Sequence, residues 1–165
     1  MALYGFLTAL AFVLGYIEAL IPVPMPVPGM KLGLANMVSV AALYLYNWPA
    51  AAAVTLIRII LSGLTFTNLS MMLYSLSGGL LSLAVMGLLK RSRLFSVVGV
   101  SVAGGAAHNI GQLLMAALVV KTAGVFAYLP ALLAAGTLAG AAVGLAAGAV
   151  TGRVRRALSG WGGQR

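Results

Sequence analysis

The chain has 165 residues, 62% of them hydrophobic and only 7% charged, with ten Lys and Arg against a single acid and a formal charge of +9. So little charge excludes a soluble globule and marks an integral membrane protein. The absence of cysteine excludes disulfides and thiolate metal sites, and no basic run interleaved with aromatics speaks for nucleic acid.

Windows of about twenty apolar residues predict an all-α, single transmembrane domain over residues 1–165, a bundle of six membrane-crossing helices near 2–21, 30–46, 50–65, 70–89, 94–120 and 128–152, followed by a basic tail, 153–165. The first apolar stretch has no positive n-region and no small-x-small cleavage site before the prolines, so it reads as a span and not a signal peptide. Between the first two helices lie Pro22, Pro24, Pro26 and Pro28. Prolines at alternate positions remove backbone donors and favour extended geometry, so the chain must leave its first helix there. The segment delivers Lys31 and Asn36 to the mouth of the second helix and reads as a lid over a binding site. Asn47, Trp48 and Pro49 form a tight turn, and Lys90, Arg91 and Arg93 separate the fourth and fifth helices. Arg153, Arg155, Arg156 and Arg165 follow the sixth. With an even number of spans these seven cations share one side, against Lys31 and Lys121 on the other. The positive-inside rule then predicts a multi-pass protein of the cell membrane with both termini cytoplasmic.

Counting along each helix at about 1.5 Å per residue brings the polar side chains together near the external surface: Glu18, Asn36, Asn68, Tyr74, Ser75, Ser77, His108, Asn109 and Gln112. Arg58 alone falls near mid-membrane. Ionisable groups at such depth cost about 2.5–3.5 kcal/mol each on insertion scales and are usually paired or functional. Glu18 is either a structural partner of Arg58 or His108 or a ligand contact. His108, with Asn109 and Gln112, forms a polar stripe that serves either a ligand or an interhelical hydrogen-bond cluster. Lys31 either anchors at the headgroups or touches the ligand. Tyr16, Phe66, Tyr74, Phe126 and Tyr128 form either an aromatic belt or stacking surfaces for a flat ring.

One repeat stands out. Gly136, Gly140, Gly144, Gly148 and Gly152 recur every four residues, beside Ala131, Ala135 and Ala139. A ridge without side chains lets another backbone approach, either inside the bundle or from a second subunit. No Walker motif is present, and the single histidine has one carboxylate in the whole chain to orient it, so ATP hydrolysis and triad chemistry are excluded. Neither a cofactor nor a metal is expected, and the chain is read as not an enzyme.

Pro28-Gly29-Met30-Lys31-Leu32-Gly33-Leu34-Ala35-Asn36, Arg58, Tyr74 to Gly79, His108-Asn109-Ile110-Gly111-Gln112 and Tyr128-Leu129-Pro130 follow in that order. Together they resemble the Gx transporter family, often labelled heptaprenyl diphosphate synthase component I, over nearly the whole chain. That family is similar to the S-components of energy-coupling factor (ECF) transporters. The resemblance implies an ECF S-component-like bundle that captures a small molecule, a vitamin or related micronutrient such as a flavin, from outside. A transmembrane coupling protein and two cytoplasmic ATPases would power its uptake. S-components commonly carry Ala-x-x-x-Ala on the first helix for docking; this chain has only Gly5 with Ala9 and Ala11 with Gly15 at that spacing. The synthase label gives the alternative of an accessory membrane subunit in polyprenyl diphosphate synthesis. It cannot be the catalytic one, because prenyl transfer uses carboxylate-rich motifs to hold Mg²⁺ and the chain has no Asp and one Glu.

Overall fold

A computed structural model describes residues 2–21 and 33–162; the proline segment, the expected lid and Lys31 lie outside the described residues. The described chain forms α1 (Ala2–Leu20), α2 (Leu34–Leu45), α3 (Trp48–Thr65), α4 (Leu69–Ser92), α5 (Val97–Val120), a short 3-10 turn (Ala123–Tyr128) and α6 (Leu129–Gly162). Four segments are long and apolar enough to cross a membrane, Trp48–Thr65, Leu69–Ser92, Val97–Val120 and Ala123–Arg156, while α1 and α2 are shorter apolar helices. The 12 residues of α2 rise about 18 Å, against about 30 Å of bilayer hydrocarbon.

Local chemistry sets the helix starts. Asn47, Asn68 and Ser96 cap α3, α4 and α5, their side chains accepting from the backbone N–H of Ala50 (3.0 Å), Met71 (2.8 Å) and Gly99 (3.2 Å). Pro49 sits in the first turn of α3, where its missing N–H costs nothing. Gly33 enters α2 at φ 87°, a left-handed conformation that a residue with a Cβ adopts only with strain. Several boundaries differ from the sequence expectation: α2 begins at Leu34 and not near 30, Trp48 and Pro49 open α3 instead of forming a turn, α4 runs on to Ser92 and α5 begins at Val97. Helix α6 does not stop at 152 before a basic tail; it runs to Gly162, because Arg, Ala and Leu all favour helix and no proline intervenes. The expected loop after Lys121 winds into the 3-10 turn, opened by Thr122, which accepts from Gly124 N–H at 3.3 Å.

From α2 onward short connections run neighbouring helices antiparallel. The core gathers Leu7 and Ala11 of α1, Val38, Val40 and Leu43 of α2, Val54 of α3, Leu83 and Met86 of α4, Val100 of α5 and Val143 of α6. The glycine ridge packs inside the bundle on α5. A Cβ on Gly140 would come within 2.7 Å of Ser101 O, and one on Gly144 within 2.8 Å of Val98 Cα. Gly148 meets only the tip of Val97, at 3.9 Å, and Gly152 meets nothing within 4 Å. On α1 the small residues divide. Ala11 and Gly15 are buried, Gly15 against Ala35 and Ser62, whereas Gly5 and Ala9 are exposed. Half of the face expected to dock a coupling protein is therefore spent on internal packing.

Candidate functional site

A cavity of about 500 Å³ lies between α2, α4, α5 and α6 and extends from the start of α2 to mid-bundle. Its walls are mostly Gly, Ala, Val and Met, with Gly104, Gly105, Gly136 and Gly140 supplying space that side chains would fill. Polar groups converge on it from three helices: Asn36 from α2, Ser82 from α4, and Ser101, His108 and Asn109 from α5. Apolar walls with a few directed polar groups are the usual make-up of a small-ligand pocket.

Asn109 and Asn36 are held by hydrogen bonds to other helices. Asn109 Nδ2 donates to Leu132 O at 2.7 Å, tying α5 to α6. Arg58 reaches from α3 behind the wall and donates through Nη2 to Asn36 Oδ1 at 2.5 Å, which leaves the Asn36 amide nitrogen as the donor for other partners. The His108 ring lies against Gly78 of α4, where an added Cβ would come within 3.1 Å of Cε1. Glu18 is buried and accepts from the Gly33 backbone N–H, fixing the point at which the chain re-enters the bundle. It is also an electrostatic neighbour of Arg58.

The nine site residues proposed from sequence therefore separate. Asn36, His108 and Asn109 line the cavity; Arg58 and Glu18 support its α2 wall. Gln112 packs beside Gly78 at the α4–α5 contact, Tyr74 is half-buried on α4 outside the cavity wall, and Asn68 is exposed as the α4 cap. Lys31 falls outside the described residues. Sequence reasoning missed Ser82, Ser101, Met37 and Met86, all in the wall. Ser82 and Ser101 are 7% and 2% exposed, and buried polarity inside an apolar stretch was the available signal. Among the described residues no group of His, Cys, Asp and Glu could hold a metal.

The model of the family described as heptaprenyl diphosphate synthase component I matches residues 7–150. The chain belongs to that family. The match takes in all or most of each helix and all of the cavity wall. No curated protein and no solved structure matches the chain.

Proposed function

We propose that this chain is a non-catalytic membrane subunit that holds a ligand in the α2–α4–α5–α6 cavity, and that it serves polyprenyl diphosphate synthesis as an accessory component. The family's description supports the accessory role, since a component I implies a second component to carry the chemistry. The observation that carries the non-catalytic reading is the acid count: the one carboxylate, Glu18, is committed to the Gly33 N–H. Prenyl transfer would need several more to hold Mg²⁺ against a diphosphate.

One observation favours a second reading, capture of a small solute for uptake in the manner of an ECF S-component with a coupling protein and ATPases. The described cavity wall contains amide, imidazole and hydroxyl groups and no Lys or Arg. Such a wall suits a carbonyl-bearing molecule, a vitamin or flavin among them, better than a diphosphate. In either case we take the chain as one transmembrane domain whose six helices all cross the cell membrane, the short α2 under local thinning of the bilayer, with Lys90, Arg91, Arg93, Arg153, Arg155 and Arg156 at the cytoplasmic end.

Two measurements test this. Mass spectrometry of what co-purifies in mild detergent separates the readings: an isoprenoid supports the accessory role, and a water-soluble molecule supports uptake. In the second case His108→Ala and Asn36→Ala weaken binding about five- to a hundred-fold, because a buried ligand group loses its partner at about 1–3 kcal/mol. Single cysteines at Ser92 and Ala123, in this cysteine-free background, test orientation. An impermeant maleimide applied to intact cells is expected to label Ala123 and spare Ser92, and the reverse would overturn the topology.

A further inference from the structure

A second cleft, of about 710 Å³, opens at the opposite end of the bundle, where α2 ends, α3 begins and α4 ends. Its floor is Leu43, Ala84 and Leu88, and Trp48 forms one wall. The indole is fixed there: Trp48 Nε1 donates to Leu83 O at 2.9 Å, and a Cβ on Gly87 would come within 2.5 Å of Trp48 Cδ1. The absence of a side chain at 87 is thus what seats the ring on α4. The outer face of the indole is left open, with 47% of the residue exposed.

Three cations, Lys90, Arg91 and Arg93, complete the cleft. Lys90 Nζ donates to Leu43 O and lies 5.2 Å from the Tyr44 ring centre, so it closes the end of α2 with one of its three protons. Arg93 takes a left-handed conformation, φ 60°, immediately after α4. Glycine or asparagine is the usual occupant of such a position, because a larger side chain is strained there. The residue found there instead is an arginine that lines the cleft. No carboxylate answers this charge, because Glu18 on α1 is the only acid in the chain and it is committed at the other end of the bundle. Arg155, donating to Tyr44 O at 2.7 Å, adds to the positive field.

From the bundle interior outward the cleft runs apolar, aromatic, cationic. A phosphate-headed lipid lying in a leaflet has the same order: hydrocarbon chain, polar linkage, phosphate. Solvated topology cations require neither a seated indole nor a cleft. We propose that this cleft binds the phosphate head of a membrane-resident lipid, with Arg91 and Arg93 on the phosphate, Trp48 at the linkage, and the exposed Ala84 and Leu88 along the start of the chain. An anionic phospholipid and a prenyl diphosphate share this chemistry. The inference is independent of what fills the first cavity.

The chain has two tryptophans, so Trp161→Phe leaves Trp48 as the sole indole reporter. Reconstitute that protein in vesicles containing brominated phosphatidylglycerol or brominated phosphatidylcholine at equal mole fraction and read the quenching of Trp48. Preferential, saturable quenching by the anionic lipid is expected. Each exposed cation near the surface strengthens attraction to anionic lipid about five-fold, so Arg91→Gln with Arg93→Gln should lower that preference by about thirty-fold while the melting temperature holds. Equal quenching by the two lipids, or a preference unchanged in the double variant, would overturn the proposal. Competition then assigns the source. Relief of quenching by geranylgeranyl diphosphate at lower mole fraction than by unlabelled phosphatidylglycerol supports the proposal with a prenyl diphosphate as occupant, and the opposite order supports it with a phospholipid. Full relief by inorganic diphosphate alone would overturn it, since the chain would then contribute nothing.

Discussion

The two halves of this bundle are held together differently. Helices α4, α5 and α6 meet backbone to backbone: a Cβ on Gly111 would come within 2.8 Å of Gly78 Cα, and one on Gly136 within 2.8 Å of Gly105 O. Helices α1, α2 and α3 meet through side chains, with Leu43 and Val54 fully buried and Thr55 Oγ1 donating to Ser39 Oγ at 2.8 Å. Rings bridge the same half, Phe12 and Tyr16 lying 5.4 Å and 5.3 Å from Phe66 between centroids. In lipid the gain comes from close packing and interhelical hydrogen bonds, not from expelling water. A glycine seam obtains the packing with no slack, whereas a side-chain seam can readjust rotamers. The cavity lies where these halves join, with one wall of glycine-rich α5 and α6 and one of α2. The pairing of a rigid wall with an adaptable one suits a site whose ligand enters beside α2.

Substitutions in the two seams should separate them. The largest effect is expected for Gly140→Leu, which drives a branched side chain into Ser101 O and Val102 Cα. Overpacking of that kind costs about 3 kcal/mol, read as a large fall in melting temperature in detergent. Gly152→Leu, on the same helix at the same four-residue spacing, meets open space and should melt like the parent. Equal losses in the two proteins would mean that the seam is not what sets stability. In the side-chain half, Thr55→Val leaves Ser39 without its donor inside the core. The expected loss is about 1–2 kcal/mol. Phe66→Leu removes two ring contacts while keeping most of the apolar volume, so thermal melts should show the smallest change, about 1 kcal/mol or less. A larger penalty for Phe66→Leu than for Gly140→Leu would reverse the contrast.

Much of this was readable in the residues. The apolar windows located every helix, because hydrophobic length is a one-dimensional property. Their largest miss was the end of α6, where arginines were read as a tail although nothing in Arg153-Val154-Arg155-Arg156 breaks a helix. Position along each helix was legible in the same way, and Asn36, His108 and Asn109, expected together, line one cavity. Direction around the helix axis relative to neighbours was not. Gln112 and Tyr74, expected with them, lie outside the cavity wall, because helix rotation depends on packing that one sequence does not display. Ser82 and Ser101 went unnoticed because a lone serine in an apolar helix can satisfy itself on its own backbone. Lys90, Arg91 and Arg93 were read as topology signals alone, since the cleft they line depends on how Trp48 is seated against Gly87.

The central claim is that the cavity between α2 and the α5–α6 seam holds the ligand, and filling it is the most direct test. Ala139 lies in its wall and is only half-buried, so Ala139→Phe occupies cavity volume without entering the core. Bound small molecules should be quantified by mass spectrometry in the purified parent and in Ala139→Phe, with melting temperatures measured on the same samples. The account predicts a stoichiometric ligand in the parent and its loss from a variant that melts normally. The same ligand retained in full by a folded Ala139→Phe protein would contradict it.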